Sequence, residues 1–183
     1  MQPVSQPHNT DLQCVLFDLD DTLYDHLHSA RHGLIAMSQR HAVLQQVPIR
    51  ELEDRYSLAL ESVHLRLLRG EVSQTEARTR RMQQLFATFD RTLSDQAAID
   101  EYTQFRSDYD EACRVVPGTH ELLQRLQQLG LRLAVITNNV VSEQVAKLEQ
   151  LELTDYFDVV TISEEVGAPK PCLLYTSPSP RDS

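Results

Sequence analysis

The run Asp18-Leu19-Asp20-Asp21-Thr22 constrains this chain more than any other feature. It follows a short apolar stretch, Cys14-Val15-Leu16-Phe17. An apolar run of that length closed by acidic residues predicts a buried strand that delivers side chains at its carboxyl end. In an open α/β sheet that end is where ligands and chemistry sit. Side chains alternate along a strand, so Asp18 and Asp20 are expected on one side of the chain and Asp21 on the other. Two carboxylates held together repel unless a cation or a shared proton relieves them. The pair therefore predicts a metal or acid/base site, against the plainer alternative of a solvated acidic turn.

Two further strand-like runs follow, at residues 131–136 and 157–162. The first ends in Thr137-Asn138-Asn139, and the second leads into Ser163 and on to Lys170-Pro171. Between them, a helix is expected over Val141, Val145 and Leu148. Before them, Thr119 is placed to cap a helix with an apolar stripe of Leu122, Leu123, Leu126 and Leu129, ended by Gly130. Strands alternating with helices predict a parallel sheet with right-handed crossovers. Residues 25–114 differ in character, with apolar residues at helical spacing such as Leu52, Tyr56 and Leu60, then Met82, Leu85 and Phe86. Val47-Pro48, Gly70 and the segment 90–95 divide this stretch into several helices. An all-helical insertion after the first strand of an α/β domain reads as a lid or cap. His26, His28 and His32 fit one helix face near the expected site entrance, against the plainer expectation of solvated polar positions on a helix.

Seventeen residues are basic, yet only Lys147 and Lys170 are lysine. In a chain that otherwise writes its positive charge as Arg, a Lys in the expected site points to a need for a compact ammonium. That reading attaches to Lys170.

With these elements in order, the sequence resembles the haloacid dehalogenase-like (HAD) superfamily, in its helical-cap branch of phosphoglycolate phosphatases, pyrimidine nucleotidases and acylneuraminate phosphatases. The first motif, DxDxT, falls on Asp18, Asp20 and Thr22; the second, a Thr at a strand end, on Thr137; the third, a Lys before Pro, on Lys170. Within the cap, Leu68-Arg69-Gly70-Glu71-Val72, Arg80-Arg81 and Leu85-Phe86 are similar to the nucleotidase and acylneuraminate phosphatase relatives.

The resemblance implies an α/β fold: a doubly wound, Rossmann-like parallel sheet with an inserted helical cap and a central first strand. It assigns residues 13–24 and 115–171 to the core and 25–114 to the cap. It implies a Mg²⁺-dependent phosphomonoester hydrolase acting on a small phosphorylated metabolite through an aspartyl-phosphate. Asp18 is the implied nucleophile and Asp20 the implied acid and base. An unperturbed Asp, with a pKa of about 3.9, is almost wholly ionised at neutrality, so desolvation under the cap beside Asp18 is expected to favour the protonated acid. Mg²⁺ is assigned to Asp18, to the backbone carbonyl of Asp20 and to an acid of a fourth motif. Thr137, the Asn138 N–H and Lys170 are assigned to the phosphoryl oxygens, and Thr22 to orienting the acid loop. A carboxylate two residues after the nucleophile separates phosphoester hydrolysis from dehalogenation within the family. A signalling receiver domain fits poorly, because it lacks the insertion and the DxDxT run. A non-catalytic binding protein on the same fold is the remaining alternative.

Relatives are expected to continue after Lys170-Pro171 with a helix, a strand and the fourth motif. Here, Cys172 to Asp182 instead match the translation of a transposase adapter used in sequencing libraries. Residues 172–183 are therefore expected not to be native, and the core to lack its carboxyl-terminal part. A chain ending there is expected to be poorly soluble and inactive. Residues 1–12 read as a flexible tail with no apolar signal region. Net charge is −10, against general nucleic-acid binding. No run approaches membrane-spanning length. Cys14 and Cys113 have no metal-ligand or disulfide spacing, and a reducing cytoplasm is expected. Oligomeric state stays open.

Overall fold

The structure, a computed structural model, describes residues 12–170. The amino-terminal tail, apart from residue 12, and the segment from Pro171 onward fall outside the described residues, as does any test of the adapter reading. Element order is β1 (Cys14–Phe17), α1 (His26–Arg40), α2 (Ile49–Leu68), α3 (Gln74–Ala87), α4 (Asp95–Glu111), α5 (Thr119–Gln128), β2 (Arg132–Thr137), α6 (Val141–Gln150), a single 3₁₀ turn (Thr154–Tyr156), β3 (Val159–Ile162) and α7 (Ser163–Val166). The three strands pair in parallel in the order β1-β2-β3, with Leu16 beside Ala134 and Ala134 beside Val159. This is the expected α/β sheet with a helical insertion.

Alternation along the strands decides which face is buried. Val15, Phe17, Leu133, Val135 and Val160 point into a core shared with Leu123 of α5 and Leu148 of α6. Both right-handed crossovers advance in the same direction across the sheet, so both helices lie on that face. Among the described residues the opposite face, with Leu16 at 62% exposure and Val159 at 49%, is uncovered. Among the described residues β1 is paired on one side only, as expected of a doubly wound core without its carboxyl-terminal part.

The insertion forms four helices, broken where the sequence placed the breaks. Pro48 precedes α2, Gly70 takes φ +70° after it, and Asp90 takes φ +56° after α3. Asp25, Ser73 and Ser94 accept backbone N–H bonds at the starts of α1, α3 and α4, satisfying donors that a helix start leaves unpaired. Met37, Leu52, Met82, Leu85, Phe86 and Phe105 are buried between these helices.

Three local expectations change. Gly118, at φ +89°, caps α5 rather than Thr119, whose hydroxyl instead reaches the Leu23 carbonyl at 3.5 Å. The α5 stripe narrows to Leu123 and Leu126, while Leu122 and Leu129 are exposed. On α6 the buried residues are Gln144, Lys147 and Leu148, and Val145 faces outward. Glu152 leaves α6 at φ +56°, in the left-handed region, at a cost of roughly 1 kcal/mol.

Helix α1 crosses α4 at Gly33, where an added Cβ would lie 2.7 Å from the Phe105 ring and 3.1 Å from its carbonyl oxygen. Gly33→Val is expected to destabilise the fold by about 2 kcal/mol through overpacking, measured by urea denaturation.

Candidate active site

Leaving β1, the chain turns on the Leu19 carbonyl, which accepts from the N–H groups of Thr22, Leu23 and Tyr24 at 3.2, 2.9 and 3.0 Å. Leu19, Leu23 and Tyr24 are buried and anchor the turn. Asp21 sits at φ +58°, its carboxylate accepting from the Leu27 N–H at 3.0 Å. It is thereby directed to the start of α1 and away from the other acids, as the alternation required. The Thr22 hydroxyl makes no hydrogen bond among the described residues; the backbone, not this side chain, holds the acid loop.

Asp18 and Asp20 each meet a lysine. Lys170 Nζ lies 2.7 Å from Asp18 Oδ1 and 2.7 Å from the Ile136 carbonyl. Lys147 Nζ lies 2.6 Å from Asp20 Oδ1. The second oxygen of Asp20 accepts from Gln144 Nε2 at 3.1 Å. The Lys147 side chain is only 6% exposed, against 31% for Asp20 and 45% for Asp18. Thr137 is buried, with its hydroxyl donating to the Asn138 carbonyl at 3.2 Å and accepting from Gln144 at 2.7 Å. The Asn138 side chain brackets the Lys170 backbone, donating to its carbonyl at 3.0 Å and accepting from its N–H at 2.7 Å. The Asn138 N–H has no acceptor among the described residues. All five predicted residues other than Thr22 thus converge on the carboxyl ends of β1 and β2.

A family profile for the haloacid dehalogenase-like hydrolases matches residues 12–181. The chain belongs to that family. A ribulose-1,5-bisphosphate 5-phosphatase of Halopiger xanaduensis is 32% identical over 177 residues, covering 91% of this chain and 70% of that protein. The pyrimidine 5'-nucleotidase PynA of Streptococcus pneumoniae is 26% identical over 161 residues, covering 88% and 65%. The chain thus spans about two thirds of the length of these relatives. Among solved structures, the magnesium-bound HAD-hydrolase YfnB of Bacillus subtilis superimposes with a TM-score of 0.66 at 22% identity, covering 90% of this chain and 69% of that one. That likeness supports the fold.

Beside the acids, the insertion and the core of this hydrolase enclose a cavity of about 270 Å³. Asp20, Lys147, Asn139 and Glu143 line it from the core, and Tyr56, Arg81 and Tyr102 are among its cap residues. Asp18 is not part of its lining. The acids therefore divide: Asp20 borders the cavity and Asp18 stands beside it with Lys170. Glu143 ties the two layers together, accepting from Gln74 Nε2 at 3.0 Å and pairing with the guanidinium of Arg78 and, at 3.7 Å, that of Arg106.

The sequence reading missed Lys147, Gln144 and His26. The scarcity of lysine singled out Lys147 as strongly as Lys170, and i, i+3 spacing puts Gln144 and Lys147 on one side of α6. His26 was expected to be solvated. It lines the cavity instead, with Nδ1 2.7 Å from the Tyr109 hydroxyl. Burial pushes the Tyr109 phenol far up, so it stays protonated. Burial, offset in part by Asp20 and Asp21, pulls His26 below the usual imidazole range. The neutral ring then shares one hydrogen bond at Nδ1 with the Tyr109 hydroxyl.

His64, also on the cavity wall, is lowered by burial and by Arg81. Below the ordinary imidazole pKa of about 6.5, the unfolded chain binds protons that the folded chain refuses at these two positions, so stability falls as pH falls. Urea denaturation between neutrality and mild acid should show that loss, and it should be smaller in a His26→Gln/His64→Gln variant. Lys147→Met strands the Asp20 carboxylate. Because that carboxylate is partly exposed, the expected loss of stability is about 1–3 kcal/mol, measured at neutral pH.

Proposed function

We propose that this hydrolase cleaves a small phosphomonoester through an aspartyl-phosphate formed on Asp18. One observation carries the reading. Two carboxylates leave the same strand end, each with its own ammonium, and only Asp20 borders the cavity. An acid that protonates a leaving oxygen has to border the space the leaving group occupies; a nucleophile has to stand beside it, facing the phosphorus.

In the first step an Asp18 oxygen bonds to phosphorus as the bond from phosphorus to the ester oxygen breaks, and Asp20 delivers a proton to that oxygen. In the second, Asp20 takes a proton from water as the water oxygen bonds to phosphorus, releasing inorganic phosphate and freeing the Asp18 carboxylate. Lys170 and the Asn138 N–H, which has no acceptor among the described residues, face the charge that builds on the phosphoryl oxygens. Lys147 balances Asp20 whenever it is ionised and holds it in register with the cavity. Thr137, with its hydroxyl engaged by Gln144 and the Asn138 carbonyl, acts through the loop it fixes.

Mg²⁺ fits the donors present. The Asp18 carboxylate and the Asp20 carbonyl, which accepts no hydrogen bond among the described residues, are hard oxygens of the kind this cation takes together with retained waters. Bound there, it would neutralise phosphoryl charge. The names of the relatives, a bisphosphate phosphatase and a pyrimidine nucleotidase, agree with a small phosphorylated metabolite as substrate. No helix among the described residues is long and apolar enough to cross a membrane. With Cys14 and Cys113 both free, the cytoplasm is the proposed location.

The test is phosphate release with Mg²⁺ from the full-length protein as its gene encodes it. Asp18→Asn is expected to abolish turnover. Asp20→Asn is expected to accumulate a phosphorylated protein, detectable as added mass on the peptide carrying Asp18. Full activity in Asp18→Asn would overturn the assignment.

A further inference from the structure

The cations around the cavity are not equivalent. Lys147 is matched by Asp20 at 2.6 Å, Arg106 by Asp110 at 2.8 Å, and Arg78 by Glu143. Arg81 makes no ion pair among the described residues. Its Nε is buried with no hydrogen-bond partner among the described residues, and one terminal N–H donates to the Tyr56 hydroxyl at 3.1 Å. The Tyr56 and Tyr102 ring centroids lie 5.8 and 5.9 Å from the guanidinium carbon. Glu61, a further carboxylate on the same wall, is exposed and makes no ion pair among the described residues.

A guanidinium held in a cavity without a counter-charge is costly, and an orphaned N–H adds to the cost. Two tyrosines, Tyr56 through its ring and hydroxyl and Tyr102 through its ring, hold the group against the cavity wall. An anion arriving in the cavity would supply the missing charge and accept the spare donors in the planar fork that guanidinium presents. Asp20 lines the same cavity from the core side, where the leaving oxygen would sit. A leaving group that begins at Asp20 and fills the cavity therefore meets Arg81 at the cap side.

We infer that Arg81 is a second anion site, and that the substrate is a small phosphomonoester whose leaving group carries another phosphate or a carboxylate. This rests on the reading of Asp18 and Asp20 as phosphoester machinery and adds the chemistry of the group being released.

Calorimetric titration of the full chain tests it with two pairs of probes, each differing by one anionic group. The pairs are fructose 1,6-bisphosphate against fructose 6-phosphate, and 3-phosphoglycerate against glycerol 3-phosphate. In at least one pair the doubly anionic member is expected to bind about tenfold to a hundredfold tighter, as for a charge-assisted hydrogen bond. The pair with the larger ratio distinguishes phosphate from carboxylate. Arg81→Gln is expected to bring that ratio close to one, and Arg81→Lys, which keeps the charge and loses the fork, to retain part of it. Circular dichroism of each variant checks that it is folded.

A ratio near one in the unaltered chain, or a ratio that survives Arg81→Gln in a folded protein, overturns the inference and leaves the phosphatase reading standing. A preference lost in Arg81→Gln, in a protein whose Asp18→Asn variant still turns over, supports the anion site while the reading of the acids fails. Binding of none of the four esters to a folded chain removes both.

Discussion

Everything in this molecule hangs on the carbonyl of Leu19. Three consecutive N–H groups converge on it, and that convergence reverses the chain within a few residues of leaving β1. Its consequences run in two directions. Toward the sheet, it fixes Asp18 and Asp20 at the strand end. Toward the insertion, it sets the place where the helices begin, and the return strand locks to it. Asp25 N–H donates to the Arg114 carbonyl at 3.1 Å, Val116 N–H to the Leu23 carbonyl at 2.9 Å, and the Arg114 guanidinium pairs with Asp25 at 2.7 Å. The outgoing and returning connections are thus stitched together by backbone and by charge. The four helices swing from a base that is continuous with the acid loop, which is how a cavity floor from one layer and a cavity wall from the other meet at Asp20.

Charge balance is the second organising constraint. The chain is strongly acidic, and its site concentrates carboxylates further, yet Asp18 and Asp20 at the strand end are each matched by a lysine. The same holds for Glu143, which answers to Arg78 and Arg106 across the two layers. Matching of this kind makes the exception informative. Arg81 stands out because the other lysine and arginine side chains lining the cavity are each paired among the described residues.

Much of the fold was legible because its signals are local. The breaks at Pro48, Gly70 and Asp90 are matters of φ and of missing donors, and they fell where expected. The positions of β1, β2 and β3 followed from apolar runs. What escaped was what depends on partners distant in sequence. Val145 and Leu122 carry the right hydropathy for a buried face, but the sheet lies on the other side of each helix. Gln144 and Lys147 carry the wrong hydropathy for burial, and they are buried because Asp20, more than a hundred residues earlier, needs them. His26 looked solvated because nothing in its own helix announces Tyr109. In the site, residues tied to a motif were found, while those that support the motif from a neighbouring helix were not.

The pairing of two acids with the only two lysines has a consequence for the reactivity of the whole molecule. One of those amines is sealed beneath the insertion; the other is partly exposed beside Asp18, the proposed nucleophile. All other positive charge is guanidinium or imidazole apart from the terminal amine. Reagents that modify primary amines, which scatter over the surface of an ordinary protein, here have one accessible side-chain target, and it lies on the residue that would attack phosphorus. Acylation of this protein is therefore close to an affinity label that needs no recognition element, its selectivity written into the composition.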